Sequence, residues 1–303
     1  MEHLPYRENL VMNNKMVCII LVNYNGYQDT RECVESILKC SYTNYKIIIV
    51  DNASKEIDNL KKDSFLNEHC EIIYSNVNNG FSDGNNIGIK ASEKYVPDYA
   101  LLLNNDTVVQ PNFLDRLVEV AELNENAAIV TSYINYYYDK EKVWYNYGNY
   151  NKLVGYTTMI SENGGGIQPY EVTFSTGCLM LIRYEYINKY GMLSNDYFLY
   201  SEDTEYCLRA IKNGYSIMNI HEVLIYHKVN VSTGTGSKMQ QYYLVRNNLQ
   251  VVKEYGTCFP LAYLFRMALS AYEIIRYHYD YQTVKLAFSD FRKGIKGKVD
   301  YFK

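Results

Sequence analysis

The sequence predicts an α/β fold with a mostly parallel sheet and helices on both of its faces. Three observations carry that expectation: short apolar runs of strand length, helical periodicity between them, and their regular alternation over residues 17–131. Val17–Val22 (VCIILV) reads as a fully buried strand. Residues 28–39 follow as a helix, with Cys33, Val34, Ile37 and Leu38 at helical spacing. Lys46–Val50 (KIIIV) is the second strand and Glu71–Tyr74 (EIIY) the third. Ser82 caps a helix running to about Tyr95, and Tyr99–Leu103 is the fourth strand. Residues 111–124 fit a helix with Pro111 in its first turn, and Ala127–Thr131 resembles a fifth strand.

The alternation then stops. Residues 133–172 are rich in Tyr, Asn and Gly and read as a hairpin-bearing insert, a mobile loop or edge-strand packing. Order returns with a strand at Gly177–Ile182 and a helix near Arg183–Tyr190. Ser201 is placed to cap a helix to about Asn213, which Gly214 ends. Tyr215–Ile220 and Val223–His227 read as two short strands. Residues 260–277 are apolar, broken by Arg266, Glu273 and Arg276; from Lys285 onward six basic residues face two acidic ones. This tail fits an amphipathic segment lying on an anionic membrane, or equally a helix packed on the core or on a second copy.

Composition excludes several classes. A net charge of −4 carries no nucleic-acid footprint, and 48% apolar residues exclude a disordered chain. Tyrosine is abundant, 34 against a single Trp, which fits genomic codon bias as well as sugar stacking or a membrane interface. The seven cysteines are odd in number and form no C-x-x-C, so neither a zinc knuckle nor a redox pair is indicated and a reducing cytosol fits. Residues 1–15 lack the apolar core of a signal peptide, and no apolar run approaches the roughly 18 residues of a spanning helix. No G-x-G-x-x-G or G-x-S-x-G occurs, and Gly234–Lys238 lacks phosphate-loop spacing.

Ligands of parallel sheets collect at the carboxyl ends of the strands. Here those ends read Asn23-Tyr24-Asn25-Gly26, Asp51-Asn52, Asn78-Asn79-Gly80-Phe81 and Asn104-Asn105-Asp106. Each alone is an ordinary turn; four on one rim point to a ligand site. Asp106 offers an oxygen ligand to a hard divalent cation, and His227, ending a late strand, an imidazole. Glu202-Asp203 opens a helix, whose dipole is expected to lower a carboxyl pKa.

The ordered set VCIILVNYNG, IIIVDNAS, NNGFSDGNNIGI, LLLNNDTVV, STGCLMLIR and YFLYSEDTEYCLRAIKNGY spans residues 17–230 and resembles an inverting family 2 glycosyltransferase of GT-A fold, nearest the rhamnosyltransferase-like branch. The resemblance implies a nucleotide-sugar-binding half at 16–132, an acceptor-binding and catalytic half at 133–256 and a C-terminal helical tail at 257–303, behind an N-terminal extension at 1–15. It implies that Asn23 and Asn25 lie beside the nucleotide, that Asp51 reads the base or ribose, and that Asn79, Gly80, Asn85 and Asn105 line the nucleotide-sugar pocket. Asp106 matches the last aspartate of a D-x-D motif that binds Mg²⁺ or Mn²⁺ and the diphosphate; Asn104 stands at its first position, so one carboxylate is missing. His227 matches a position that completes the metal shell in some members, and Arg246 one that contacts diphosphate. Glu202-Asp203 matches the catalytic E-D pair, with Asp203 as base.

The implied partners are a nucleotide-diphosphate sugar (dTDP-rhamnose or a UDP-hexose) and a glycan or polyprenyl-linked acceptor in bacterial cell-surface polysaccharide synthesis. A membrane surface at the cytoplasmic face and a homo-oligomer stay open as further partners; nucleic acid does not. Two other readings compete: a sugar-nucleotide pyrophosphorylase, whose basic Gly-rich loop after the first strand is absent, and a non-catalytic glycan- or nucleotide-binding subunit, which an intact Glu202-Asp203 opposes.

Overall fold

A computed structural model of the chain describes residues 15–160, 168–229 and 236–302. Its first half alternates as expected: β1 (Val17–Asn23), α1 (Tyr27–Ile37), β2 (Tyr45–Asp51), the short α2 (Ile57–Lys62) and α3 (Ser64–His69), β3 (Cys70–Tyr74) and α4 (Gly80–Ser92). Then come β4 (Tyr99–Asn104), β5 (Thr107–Val109), α5 (Phe113–Leu123) and β6 (Ala127–Tyr136). The Tyr-rich region holds β7 (Val143–Tyr145), a hairpin of β8 (Tyr147–Asn151) and β9 (Tyr156–Ile160), and β10 (Tyr170–Glu171). After it follow β11 (Leu179–Arg183), α6 (Tyr184–Tyr190), α7 (Glu202–Lys212) and β12 (Ser216–His227). Three helices close the chain: α8 (Lys238–Tyr255), α9 (Phe259–Tyr277) and α10 (Tyr281–Lys293).

The main sheet runs β10-β12-β6-β11-β4-β1-β2-β3. β1 to β4 pair in parallel, whereas β11 lies antiparallel between β4 and β6, which restores the direction of β6 and β12. The carboxyl ends of β1, β2, β3, β4, β6 and β12 therefore share one rim with the start of β11. The two short late strands expected at 215–227 are one strand, β12, with register shifts between Ile220 and Ile225. The polar pair His221-Glu222 sits at that irregularity: Tyr133 holds His221 and Arg116 holds Glu222.

Burial on both faces explains why β1 is apolar throughout. Val17, Ile19 and Leu21 pack with Cys33, Val34 and Ile37 of α1 and Phe113, Leu114 and Leu117 of α5. Ile20 faces the opposite side, against Ile89 of α4, Leu102 of β4 and Tyr206 and Cys207 of α7. Gly88 lets α4 lie this close, because a Cβ there would stand 2.4 Å from Ile20. A third cluster joins Phe198 to Tyr242, Tyr243, Val245 and Leu249 of α8 and Val284 and Ala287 of α10. The C-terminal helices are thus packed onto the segment that precedes α7. Among the described residues, no helix is long and apolar enough to cross a membrane.

Candidate active site

The rim begins with a closed network under β1 and β2. Asn23 Nδ2 donates to Asp51 Oδ2 (2.7 Å) and Ser54 Oγ (3.0 Å). Its Oδ1 accepts from the Gly26 N–H (3.2 Å) and from Thr30 Oγ1 (2.9 Å). Asn105 Nδ2 turns into the same network, donating to Thr30 Oγ1 at 2.8 Å. Asn23 and Asp51 are enclosed, and Asp51 Oδ1 is taken by the Ser54 N–H. The pair is buried within this network, and Asn25 beside it is exposed, its Oδ1 accepting the Lys55 N–H at 2.8 Å.

Asn52, to which the sequence assigned no role, organises the next loop. Its Nδ2 donates to Asn78 Oδ1 (3.1 Å) and Gly80 O (2.9 Å), and its Oδ1 accepts the Asn79 N–H (3.3 Å). Gly80 opens α4 at φ +86°, and a Cβ on it would stand 1.9 Å from the Phe198 carbonyl oxygen. That carbonyl accepts the Phe81 N–H at 2.9 Å, fastening the start of α4 to the segment before α7. Asn79 is exposed at the head of α4, while Asn85 is buried with its Nδ2 on the Phe81 carbonyl.

At the centre of the rim, the turn after β4 brings Asp106 to the end of β12. Thr107 pairs with His227, and Asp106 Oδ1 lies 3.1 Å from His227 Nε2. The Trp144 ring stands edge-on to the imidazole at 4.4 Å, and the buried His227 Nδ1 has no hydrogen-bond partner. Two ligands at right angles on an ion with bonds of about 2.1 Å stand about 3 Å apart, so this oxygen–nitrogen pair fits one divalent cation. Among the described residues no cluster of three or more His, Cys, Asp or Glu side chains could hold a metal; the remaining positions would fall to water and to the ligand's own oxygens. The adjacent Lys228 is tied to Asp29 (2.7 Å) and Glu32 (2.6 Å).

Asp203 of α7 is linked to the end of β4 through two backbone bonds. Asp203 Oδ2 accepts the Gly177 N–H (3.2 Å), and the next residue's carbonyl, Cys178 O, accepts the Asn104 N–H (3.0 Å). Asp203 Oδ1 accepts from the Thr204 N–H (2.7 Å). Glu202 is buried, and its Oε2 has no hydrogen-bond partner. Both carboxyls titrate above their ordinary range, Glu202 well above it, because burial disfavours the charged forms; the neighbouring Asp203 charge adds to the rise of Glu202. The expected lowering by the helix dipole is therefore overturned: the Gly177 and Thr204 amides oppose the rise without cancelling it.

The chain enters α7 through Tyr200 and Ser201, at φ 65° and 72°, a left-handed pair that costs non-glycine residues of order 1–3 kcal/mol each. Arg246 is not on the rim, which corrects its assignment to the diphosphate. It is fully buried between the Tyr242 and Tyr243 rings, and donates to Asn247 Oδ1 and to the Gly297 carbonyl (2.8 Å).

Residues 18–191 match the family described as Glycosyl transferase family 2. Rhamnosyltransferase WbbL of Escherichia coli (strain K12) is 27% identical over 231 residues, covering 71% of this chain and 83% of that one. The dTDP-rhamnosyl transferase RfbF of Shigella flexneri is 24% identical over 253 residues, 80% of this chain and 81% of that one. The chain spans 40% of the length of two other glycosyltransferase relatives, from Haemophilus influenzae and Streptococcus pneumoniae. The crystal structure of GalNAc-T7 with UDP, GalNAc and Mn²⁺ superposes with a TM-score of 0.59 at 15% identity, over 88% of this chain and 58% of that one. The curled, mostly parallel sheet with flanking helices is the GT-A arrangement, and the chain belongs to glycosyl transferase family 2.

Proposed function

We propose that this chain transfers a sugar, with inversion, from a nucleoside-diphosphate sugar to a hydroxyl of a lipid-linked or glycan acceptor in bacterial surface-polysaccharide synthesis. One observation carries the reading: the Asp203 carboxylate and the Asp106–His227 pair converge on one rim, linked through Gly177 and Cys178.

Asp203 acts as the general base. Its two oxygens are oriented by the Gly177 and Thr204 amides, and its raised pKa makes it a stronger proton acceptor than an exposed aspartate. It takes the acceptor's hydroxyl proton as that oxygen attacks the anomeric carbon, and the nucleoside diphosphate leaves from the opposite face. Glu202, the other member of the E-D pair, is buried beside Asp203, and its own pKa is raised by burial and by the Asp203 charge. Asn79, Gly80 and Asn25 line the nucleotide side. Asp106 and His227 would hold a divalent cation, Mn²⁺ or Mg²⁺, which when bound supplies positive charge to the departing diphosphate. We take dTDP-rhamnose as the first donor to test, which the names of WbbL and RfbF support, with a UDP-hexose as the alternative. We place the enzyme at the cytoplasmic face of the membrane, held there by α9.

Asp203→Asn tests the assignment. It is expected to bind nucleotide as the wild type does and to lose transfer by about 10²–10⁴-fold; transfer at the wild-type rate would remove Asp203 as base. Turnover of UDP-, GDP- and dTDP-sugars in parallel identifies the donor, and the anomeric configuration of the product decides inversion.

A further inference from the structure

We infer that Asn247, on α8, is a positioning residue for Asp203: it fixes the strained turn from which that carboxylate is presented. The inference rests on Asp203 being the base. Asn247 is fully buried, and both halves of its amide are committed. Its Nδ2 donates to the carbonyls of Leu199 and Tyr200, each at 2.8 Å. Its Oδ1 accepts from Arg246 Nε (3.0 Å) and Nη2 (2.9 Å). The guanidinium has only donors and the two carbonyls only accept, so the amide fits in one orientation.

The turn that follows has little support of its own. Tyr200 and Ser201 both hold positive φ, and Ser201 gives α7 no side-chain cap. Its shape is imposed from outside. The Phe81 N–H holds the Phe198 carbonyl on one side, and Asn247 holds the next two carbonyls on the other. Arg246, behind Asn247, is tied to the Gly297 carbonyl, while the Gly297 N–H donates to the Asp196 carbonyl at 2.7 Å. The segment 196–200 is therefore bound at three carbonyls to α8 and the chain's C-terminal residues. Asp203 lies three residues beyond the last of them, so a rotation of the turn carries the base away from Gly177.

Asn247→Asp isolates the effect. It keeps the side chain's shape and its acceptors for Arg246, but sets an oxygen against two carbonyl oxygens; Asn247→Ala removes the amide altogether. Both are expected to lower kcat by about a hundredfold while KM for the donor stays within about twofold, since the misplacement affects attack rather than donor binding. The acid limb of the kcat profile should also move toward the ordinary carboxylate range as Asp203 becomes more hydrated. Asp203→Asn is assayed in parallel: if it retains full transfer, the base assignment fails. If Asp203→Asn is inactive while both Asn247 variants keep the wild-type kcat and acid limb, the positioning role is overturned. It is overturned too if both variants lose nucleotide binding and cooperative melting along with kcat, which marks Asn247 as a general support of the fold.

Discussion

Asp106 Oδ1 and His227 Nε2 stand 3.1 Å apart, although 121 residues separate them in sequence. The contact follows from the pairing of β5 with β12, which sets Thr107 opposite His227 and leaves Asp106 one residue beyond the ladder. With Asn104 at the first position of the D-x-D match, we propose that the imidazole of His227 supplies the second ligand. His227→Ala is expected to raise the Mn²⁺ concentration needed for half-maximal nucleotide binding by at least about tenfold, and Asp106→Asn by more, since it removes a charged oxygen ligand where His227→Ala removes a neutral nitrogen one. Calorimetric titration of nucleotide across a Mn²⁺ series measures this. An unchanged Mn²⁺ requirement in both variants would remove the pair as a metal site.

The Glu202–Asp203 pair makes a signed prediction about pH. Both carboxyls titrate higher in the folded chain than in the unfolded one, so the folded state binds more protons between the two ranges. Their contribution to stability is present below the unfolded carboxyl pKa, near 4, and is lost as pH rises through the raised folded values. Glu202→Gln should therefore melt higher than wild type at pH 7 and no higher at about pH 4. Transfer needs the ionised base, so kcat/KM should fall on acidification at a pH above the ordinary aspartate range, with the limb belonging to the pair. Equal melting shifts at both pH values would refute the linkage.

These two sites differ in how far the sequence disclosed them. β1, β2 and β4 are buried on both faces, so each is an unbroken apolar run ending on polar residues, and Asp106 stands out. Strand direction leaves no mark in composition, so the antiparallel β11 reads only as a strand. Arg246 looks like a surface cation in YYLVRNNL, because the carbonyl that receives it belongs to Gly297, 51 residues away. The helix dipole at Asp203 is local and legible; the burial that outweighs it is assembled by packing of distant segments. Asn23 and Asp51 were placed on the correct rim, but the bonds that consume them come from Ser54, Thr30 and Gly26.

Gly80 offers a test of the joint between donor loop and catalytic turn. Gly80→Ala adds a Cβ 1.9 Å from the Phe198 carbonyl at a φ of +86°, where L residues are strained. The expected cost is about 2–4 kcal/mol of stability, combining backbone strain with overpacking, together with a large loss of transfer. Gly214→Ala is the control: its φ is +83°, but nothing lies within 4 Å of the added carbon, so about 1 kcal/mol and unchanged turnover are expected. Denaturant unfolding and turnover compare the two; equal costs would mean that the Phe198 contact does not matter.

Helix α9 carries its polarity the wrong way round for a helix of a free-standing domain. Arg266, Ser270 and Glu273 face inward, with Arg266 bonded to both of the others, while Leu261, Leu264, Met267, Tyr272 and Ile275 face outward. Leu264 is 62% and Ile275 77% exposed, and Tyr156 of the β8–β9 hairpin, in ring contact with Phe265, extends the patch. An apolar stripe of this kind suits the interface of a lipid bilayer, where an acceptor on a lipid carrier would be met. Because α10 and the last residues pack on α8, removing the tail would disturb the catalytic turn, so point changes are the cleaner probe. Leu264→Glu with Ile275→Glu should weaken binding to anionic vesicles by at least about tenfold, given the roughly 1.5–3 kcal/mol that burial of each side chain supplies. Transfer to a lipid-linked acceptor should fall with it, while transfer to a water-soluble acceptor should not. Undiminished vesicle binding would sink the membrane reading, and a fall in oligomeric size instead would assign the stripe to self-association.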